Sequence, residues 1–138
     1  MTQPTDWLAT LQAVNQTAAL HRWCGIHVLR VAPGEADVGL AWRHDLGQHT
    51  GFLHAGLMGA MIETACGYAA ATLVGQVVAS HYAVNCLRPA VGDSFVARAR
   101  VVKPGKQQTF AACELYAVKD GKETLVATGD TLLLAVSA

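Results

Sequence analysis

The sequence has no charge to spare in either direction. Ten basic and ten acidic residues cancel over 138 positions, so no net field draws the chain to nucleic acid or to an anionic membrane. Paired cysteines are also missing. Cys24, Cys66, Cys86 and Cys113 stand at least twenty residues apart, with no C-x-x-C and no histidine at zinc-finger spacing. That excludes a disulfide scaffold or a zinc finger and fits small thiols in a reducing compartment. The opening Met1-Thr2-Gln3-Pro4-Thr5-Asp6 lacks the basic residue and apolar run of a signal peptide, so the expected location is the cytoplasm.

What is abundant is apolar surface: 52% of residues are hydrophobic and only 14% charged. The length fits a single domain over 1–138, and in so short a chain this balance predicts apolar surface buried against a second subunit. Between Phe52 and Ala79 the one formally charged residue is Glu63. A membrane span is rejected for this stretch, because a carboxylate near its middle is costly in lipid and the flanks carry no Lys/Arg clusters.

Thr5-Asp6 is suited to cap a short N-terminal helix carrying Trp7, Leu8, Leu11, Val14 and Ala18 at helical spacing, and Gly25 ends that region. A strand over 26–31, a Pro33-Gly34 turn and a second strand with alternating Val38, Leu40 and Trp42 follow. Residues 43–53 read as a polar loop and 54–74 as a long apolar helix stopped by Gly75. Period-two strands are expected over 77–88, 95–103, 108–118 and 124–135, with turns at Pro89 to Gly92, Pro104-Gly105 and Asp120-Gly121. The apolar positions of the long helix (Leu57, Met58, Met61, Ile62, Ala65, Tyr68, Ala69, Leu73) run all the way round it. Such a helix demands burial on every side. An antiparallel sheet wrapped around one central helix, in the α+β class and completed by a second subunit, meets that demand.

Glu63 is the most informative residue. A lone acid in a buried apolar helix carries a large desolvation penalty unless it has a partner or a task. No Lys or Arg lies between Asp45 and Arg88. The structural alternative is a hydrogen bond to Thr64 or Tyr68; the functional reading is a carboxyl with a raised pKa. His54 opens the helix, which leaves the N–H groups of Ala55 and Gly56 unpaired at the positive end of the dipole, where they can stabilise an oxyanion growing on a carbonyl. Glycine at 56 lets an acyl group approach. His54 itself reads equally as a helix cap or as an active-site donor. Nine residues separate His54 from Glu63, which amounts to about 900° of rotation and about 13.5 Å of rise, so they lie on opposite faces. One subunit cannot unite them, whereas two antiparallel helices across a twofold axis can.

The run Gln48-His49-Thr50-Gly51-Phe52-Leu53-His54-Ala55-Gly56, followed by Glu63, resembles the signature of the PaaI-like hotdog thioesterases, in the 4-hydroxybenzoyl-CoA thioesterase-like superfamily. That signature is close to G-x-x-H-G-G with an acid eight or nine residues later. Asn85-Cys86-Leu87-Arg88-Pro89 resembles the family's third strand, and the likeness extends over about 25–136. The resemblance implies a hotdog fold and hydrolysis of an acyl-CoA thioester, with coenzyme A as part of the substrate and no separate cofactor. It implies Glu63 as nucleophile or general base and the Ala55 N–H on the carbonyl. Gln48 and His54 would hold the thioester or water from the subunit opposite Glu63. Glu with Gln six residues before the His resembles the branch acting on aromatic acyl-CoA more than the branch with Asp and Asn.

Two departures stand out. Ala55 replaces the first glycine of the usual pair, and Gly67 stands one turn after Glu63, where relatives often carry a hydroxyl. Gly67 joins Gly56 as a substrate-binding candidate that leaves room for the acyl group. Arg88, Lys103 and Lys106 near strand ends are candidates for the coenzyme phosphates, against ordinary solvated charge. His44, His49 and His54 at five-residue spacing lack an acidic partner, so no metal site is expected. The assembly expected is a homodimer or homotetramer, with no membrane or nucleic-acid partner. The competing functions are a hotdog dehydratase, whose Pro-rich stretch is missing, and a non-catalytic acyl-CoA-binding or sensor protein on the same fold.

Overall fold

In the computed structural model, which describes residues 5–136, the N-terminal segment makes two helices instead of one. Asp6 caps α1 (Trp7–Gln16), its Oδ1 accepting from the Ala9 N–H at 3.1 Å. The helix stops where the Thr17 hydroxyl donates to the Val14 carbonyl at 2.6 Å, a local bond that competes with helix continuation. Ala18 is extended, so it links the helices and does not belong to the first. Gly25, left-handed at φ 92°, then closes α2 (Ala19–Cys24) by donating to the His21 carbonyl.

Six strands follow the expected positions: β1 (His27–Ala32), β2 (Glu35–Ala41), β3 (Val77–Cys86), β4 (Ser94–Lys103), β5 (Gln108–Lys119) and β6 (Lys122–Ala135). They form one antiparallel sheet in the order β1-β2-β4-β5-β6-β3. Alternation sets its two faces. Val38 and Leu40 on β2, Phe95 and Ala97 on β4, and Ala111, Leu115 and Ala117 on β5 are buried on the concave side. On the convex side Arg98 bridges Asp37 at 3.7 Å and Glu123 at 2.5 Å. Asp120 and Gly121, both at positive φ (52° and 76°), form the two-residue turn that sets Lys119 opposite Lys122. The loop before the long helix contains one 3-10 turn, His44–Leu46.

The concave face holds α3 (Ala55–Val74), against which β2 to β6 all pack. Met61, Ile62, Ala65, Cys66 and Ala69 are fully buried. At Gly129 the strand can lie this close only without a Cβ, which would fall 2.6 Å from the Ala83 carbonyl oxygen and 2.8 Å from Ile62 Cγ2. Burial is not complete around α3, since Leu57 and Tyr68 are half-buried and Leu73 is exposed. The helix is long and apolar enough to cross a bilayer, yet the sheet encloses its buried side. β3 lies at the sheet edge and, among the described residues, pairs only with β6. Val78, Tyr82 and the following Leu87 are more than half exposed there. An unpaired edge with an apolar fringe is a surface that invites a second chain.

Candidate active site

Halfway along α3, Glu63 is half-buried and opens into two hollows. The larger, about 520 Å³, lies under the N-terminal helices with Trp7, Leu11, His21, Thr64 and Gly67 on its walls. The other, about 430 Å³, is shared with Ala60 and with Ser80, His81 and Tyr82 of β3. Burial holds the Glu63 carboxyl above the ordinary carboxylate range, and the neighbouring Thr64 hydroxyl pulls it down by less. Neither of the two hydroxyls foreseen as structural partners makes a hydrogen bond of ordinary geometry to the carboxyl: the Thr64 Oγ1 lies 3.3 Å from His21 Nε2. The Tyr68 hydroxyl donates instead to Asn15 Oδ1 at 2.8 Å, and burial together with the Glu63 charge pushes it up to about 12. No basic side chain forms an ion pair with Glu63 among the described residues.

At the start of α3, His54 is the cap: its Nδ1 accepts from the Gly56 N–H at 2.8 Å. That bond fixes the ring proton on Nε2. The expectation that both Ala55 and Gly56 offer free N–H groups is therefore corrected, because His54 takes the second. The Leu57 and Met58 amides turn to the His54 carbonyl at 2.9 and 3.3 Å. Ala55 is left as the one first-turn amide without a partner among the described residues. Glycine at 56 is explained by the same cap. A Cβ there would stand 2.9 Å from His54 Nδ1, so the missing side chain makes room for the histidine ring.

Gln48 folds into its own loop. Its Oε1 accepts from the Thr50 amide and from the Thr50 hydroxyl, the latter at 2.6 Å, which leaves its NH₂ as the free end. Gln48 N to Phe52 O at 2.7 Å and Leu53 N to Ala90 O at 3.2 Å anchor that loop to the body. Gln48, Ala55, Met58, Cys86 and Arg88 line a third hollow of about 330 Å³. Glu63 is not among its walls. The chain thus carries the two halves of the expected constellation in separate places.

The other candidates divide. Gly67 borders the Glu63 hollow, and a Cβ there would meet only Leu133 Cδ2 at 3.7 Å, so the glycine leaves space unfilled. Arg88 joins Gln48 and Ala55, whereas Lys103, the last residue of β4, and Lys106, in the turn after it, line none of these hollows. The Lys103 Nζ donates to the Pro104 carbonyl at 2.9 Å. The Gln107 carbonyl, beside Lys106, accepts from the Ala135 N–H at the far end of β6, so the three cations do not converge within the chain. Sequence reasoning missed the roof of the larger hollow (Trp7, Leu11, Val14, His21) and Cys86 in the third. Only the apolar spacing of α1 hinted that it covers something.

A sheet wrapped around one helix, with an uncompensated acid midway along it, defines a hotdog-fold protein. Residues 50–124 match the family model of the thioesterase superfamily. A thioesterase family protein from Silicibacter pomeroyi is 32% identical, with a TM-score of 0.91 over 96% of this chain and 99% of that one. The PaaI protein of the Escherichia coli phenylacetic acid degradation operon superposes with a TM-score of 0.81 at 23% identity, covering 95% of this chain and 97% of its own. A Haemophilus influenzae thioesterase gives 0.83 at 20% identity, covering 99% and 93%. At those identities the last two share the fold. Compared by sequence with curated proteins, the chain matches none. The chain belongs to the thioesterase superfamily, on the hotdog fold it shares with the PaaI protein, and thioester hydrolysis is the chemistry that membership assigns.

Proposed function

We propose that this protein hydrolyses acyl-CoA thioesters to the free acid and coenzyme A, as a homo-oligomer whose active sites lie across a twofold interface. The observation that carries the reading is the division of the site along α3. Glu63 opens into hollows on one side, while Gln48, Ala55 and Arg88 share another hollow at the helix start. A second copy with its α3 antiparallel to the first sets Glu63 of one protomer against Gln48 and Ala55 of the other. The open β3 edge, fringed by Val78, Tyr82 and Leu87, supports such pairing.

In this arrangement the Ala55 N–H, at the positive end of the helix dipole, donates to the thioester carbonyl oxygen and holds the oxyanion as it forms. The ionised Glu63 acts in one of two ways. As general base it takes a proton from water while the oxygen adds to the carbonyl carbon. As nucleophile it adds directly, and water then cleaves the resulting anhydride. Either way the C–S bond breaks, coenzyme A leaves as thiolate and takes up a proton, and the acyl carbon gains the oxygen of water. The Gln48 NH₂ and the His54 Nε2–H orient the thioester or the water, and Arg88 meets a coenzyme phosphate. Gly67 gives the acyl group access to the hollow under α1.

The test is a panel of aryl, medium-chain and short-chain acyl-CoA esters with a thiol-detecting dye. Wild type should release thiol from at least one class, and Glu63→Gln should lower kcat by at least about 100-fold. Saturable binding with no thiol release from any ester would assign the fold to acyl-CoA binding instead.

A further inference from the structure

The hollow under the N-terminal helices starts at Glu63 and follows α3 toward its C-terminus. Glu63, Gly67 and Ala71 stand four residues apart along one row of the helix, and all three line it, as does Gly75 just past the helix end. From Glu63 to Ala71 that row rises about 12 Å. Val77 and Ala79 of β3, Leu133 of β6, and Leu11 and Val14 of α1 supply apolar walls. Of the α3 side chains beyond Glu63, Gly67 and Ala71 bring no polar atom. Thr64 and Tyr68 are committed elsewhere: the Thr64 Oγ1 lies 3.3 Å from His21 Nε2, and the Tyr68 hydroxyl donates to Asn15 Oδ1 at 2.8 Å. His21 Nδ1 is buried, and Thr10 and Gln76 are open to solvent. Along this row a ring hydroxyl or second carboxyl on the ligand would lose its hydration without gaining a partner. An alkyl chain carries no such penalty.

Gly67 is where the helix leaves this space open. α3 contains three glycines, and packing favours two of them. A Cβ at Gly56 would stand 2.9 Å from His54 Nδ1, and one at Gly59 would stand 3.3 Å from Tyr82 Cε2. At Gly67 it would meet only Leu133 Cδ2 at 3.7 Å, an ordinary contact. Glycine is disfavoured in a helix relative to alanine, and here no neighbour demands it. We propose that the hollow takes a straight aliphatic acyl chain of about eight to ten carbons, laid along α3 from Glu63, with Gly67 as the residue that sets this specificity. At about 1.25 Å per carbon, such a chain matches the rise from Glu63 to Ala71, whereas a single aromatic ring leaves most of it unfilled. The inference rests on the reading of Glu63 as the reacting acid and names a substrate class for that site. It departs from the aromatic branch that Gln48 and Glu63 resemble. The second hollow at Glu63 is the poorer seat, since Ser80, His81 and Tyr82 line it and Tyr82 belongs to the edge assigned to subunit pairing.

Two series test this on the intact protein. Saturated acyl-CoA esters from butanoyl to hexadecanoyl, with benzoyl-CoA beside them, are followed by thiol release. S-alkyl-coenzyme A thioethers of the same lengths, with S-benzyl-coenzyme A, keep the chain but cannot be hydrolysed, and their binding is followed by titration calorimetry. Each methylene from butyl to decyl should tighten thioether binding about threefold to fourfold, and hexadecyl should bind no tighter than decyl. The esters should show the same rise in kcat/KM, and the ten-carbon compounds should exceed their aromatic counterparts by at least about tenfold. Gly67→Leu puts a good helix former into the hollow, so the decyl-over-butyl ratio should fall at least about 100-fold, and Gly67→Ala should lower it by less. Should Gly67→Leu not fold, the wild-type series and Gly67→Ala decide. Length-dependent thioether binding that Gly67→Leu removes supports the proposal even when no ester is cleaved, a result that would count against the proposed function alone. Binding that does not rise beyond butyl, that favours benzyl over decyl, or whose decyl-over-butyl ratio is unmoved by the Gly67 variants would overturn it.

Discussion

Replacing Gly56 by alanine sets two effects of similar size against each other. The new Cβ would stand 2.9 Å from Nδ1 and 3.2 Å from Cε1 of His54. The His54 side chain is exposed, so the ring swings away and the backbone stays. Losing a side-chain N-cap costs about 1 kcal/mol. Exchanging glycine for alanine in a helix returns up to about 1 kcal/mol. The net change in stability is therefore within roughly 0.5 kcal/mol, or about 2 °C in Tm for a chain of this size. Activity has no such cancellation. The His54 ring leaves the orientation that the Gly56 amide gives it, so kcat/KM should fall on the order of tenfold or more. His54→Ala is the control: it loses the cap without a compensating gain and should melt about 4 °C lower. Differential scanning calorimetry and thiol release on both variants check this. A Gly56→Ala variant that loses more than about 2 kcal/mol would show that the backbone, not the histidine, gives way. One with unchanged Tm and unchanged turnover would show that the orientation of His54 has no part in the reaction.

Glu63→Gln should stabilise the protein at neutral pH. Burial raises the folded pKa of Glu63 above its reference value of 4.5, so its favourable contribution is complete below that value and is lost as pH rises through the folded pKa. Melting curves should therefore show the variant at or above wild type at pH 7 and no better at pH 4. A variant that melts well below wild type at pH 7 while keeping full activity would make Glu63 a structural residue. The same shift places the acid limb of kcat/KM in wild type above 4.5, read directly from a pH–rate profile. Tyr82→Arg, at the exposed β3 edge, should weaken assembly and activity together in sedimentation and thiol-release assays, whereas a stable, fully active monomer would contradict a shared site.

Much of the fold was legible because each strand has one wet face. The alternation of Ala111, Cys113, Leu115 and Ala117 with exposed or half-exposed neighbours is written directly into the order of residues. Asp120-Gly121 announced its turn through residues that tolerate positive φ. The placement of β3 beside β6 was not legible, since strand order depends on which edges meet after the helix crosses the sheet, and no local pattern encodes that. The break between α1 and α2 hangs on one threonine hydroxyl, a choice that helical spacing does not reveal. In the site, Glu63 stood out because a lone charge in an apolar run is visible in one dimension. The seat that Gly56 gives the His54 ring was not legible, since it depends on how a side chain two residues back turns. His21 could not be found at all: it meets Thr64 across 43 residues of chain, and only the docking of α2 on α3 brings them together.

The division of the site between protomers is tested most directly by complementation. Gln48→Ala and Glu63→Gln each damage both sites of a homodimer and should be nearly inactive alone. When they are co-expressed in equal amounts, about half the dimers are mixed, and each mixed dimer holds one site with both residues intact and one with both altered. Activity should return to about a quarter of wild type, with the mixed dimers confirmed by native mass spectrometry. No recovery, with mixed dimers present, would mean that each site is built within one chain and would contradict the shared geometry.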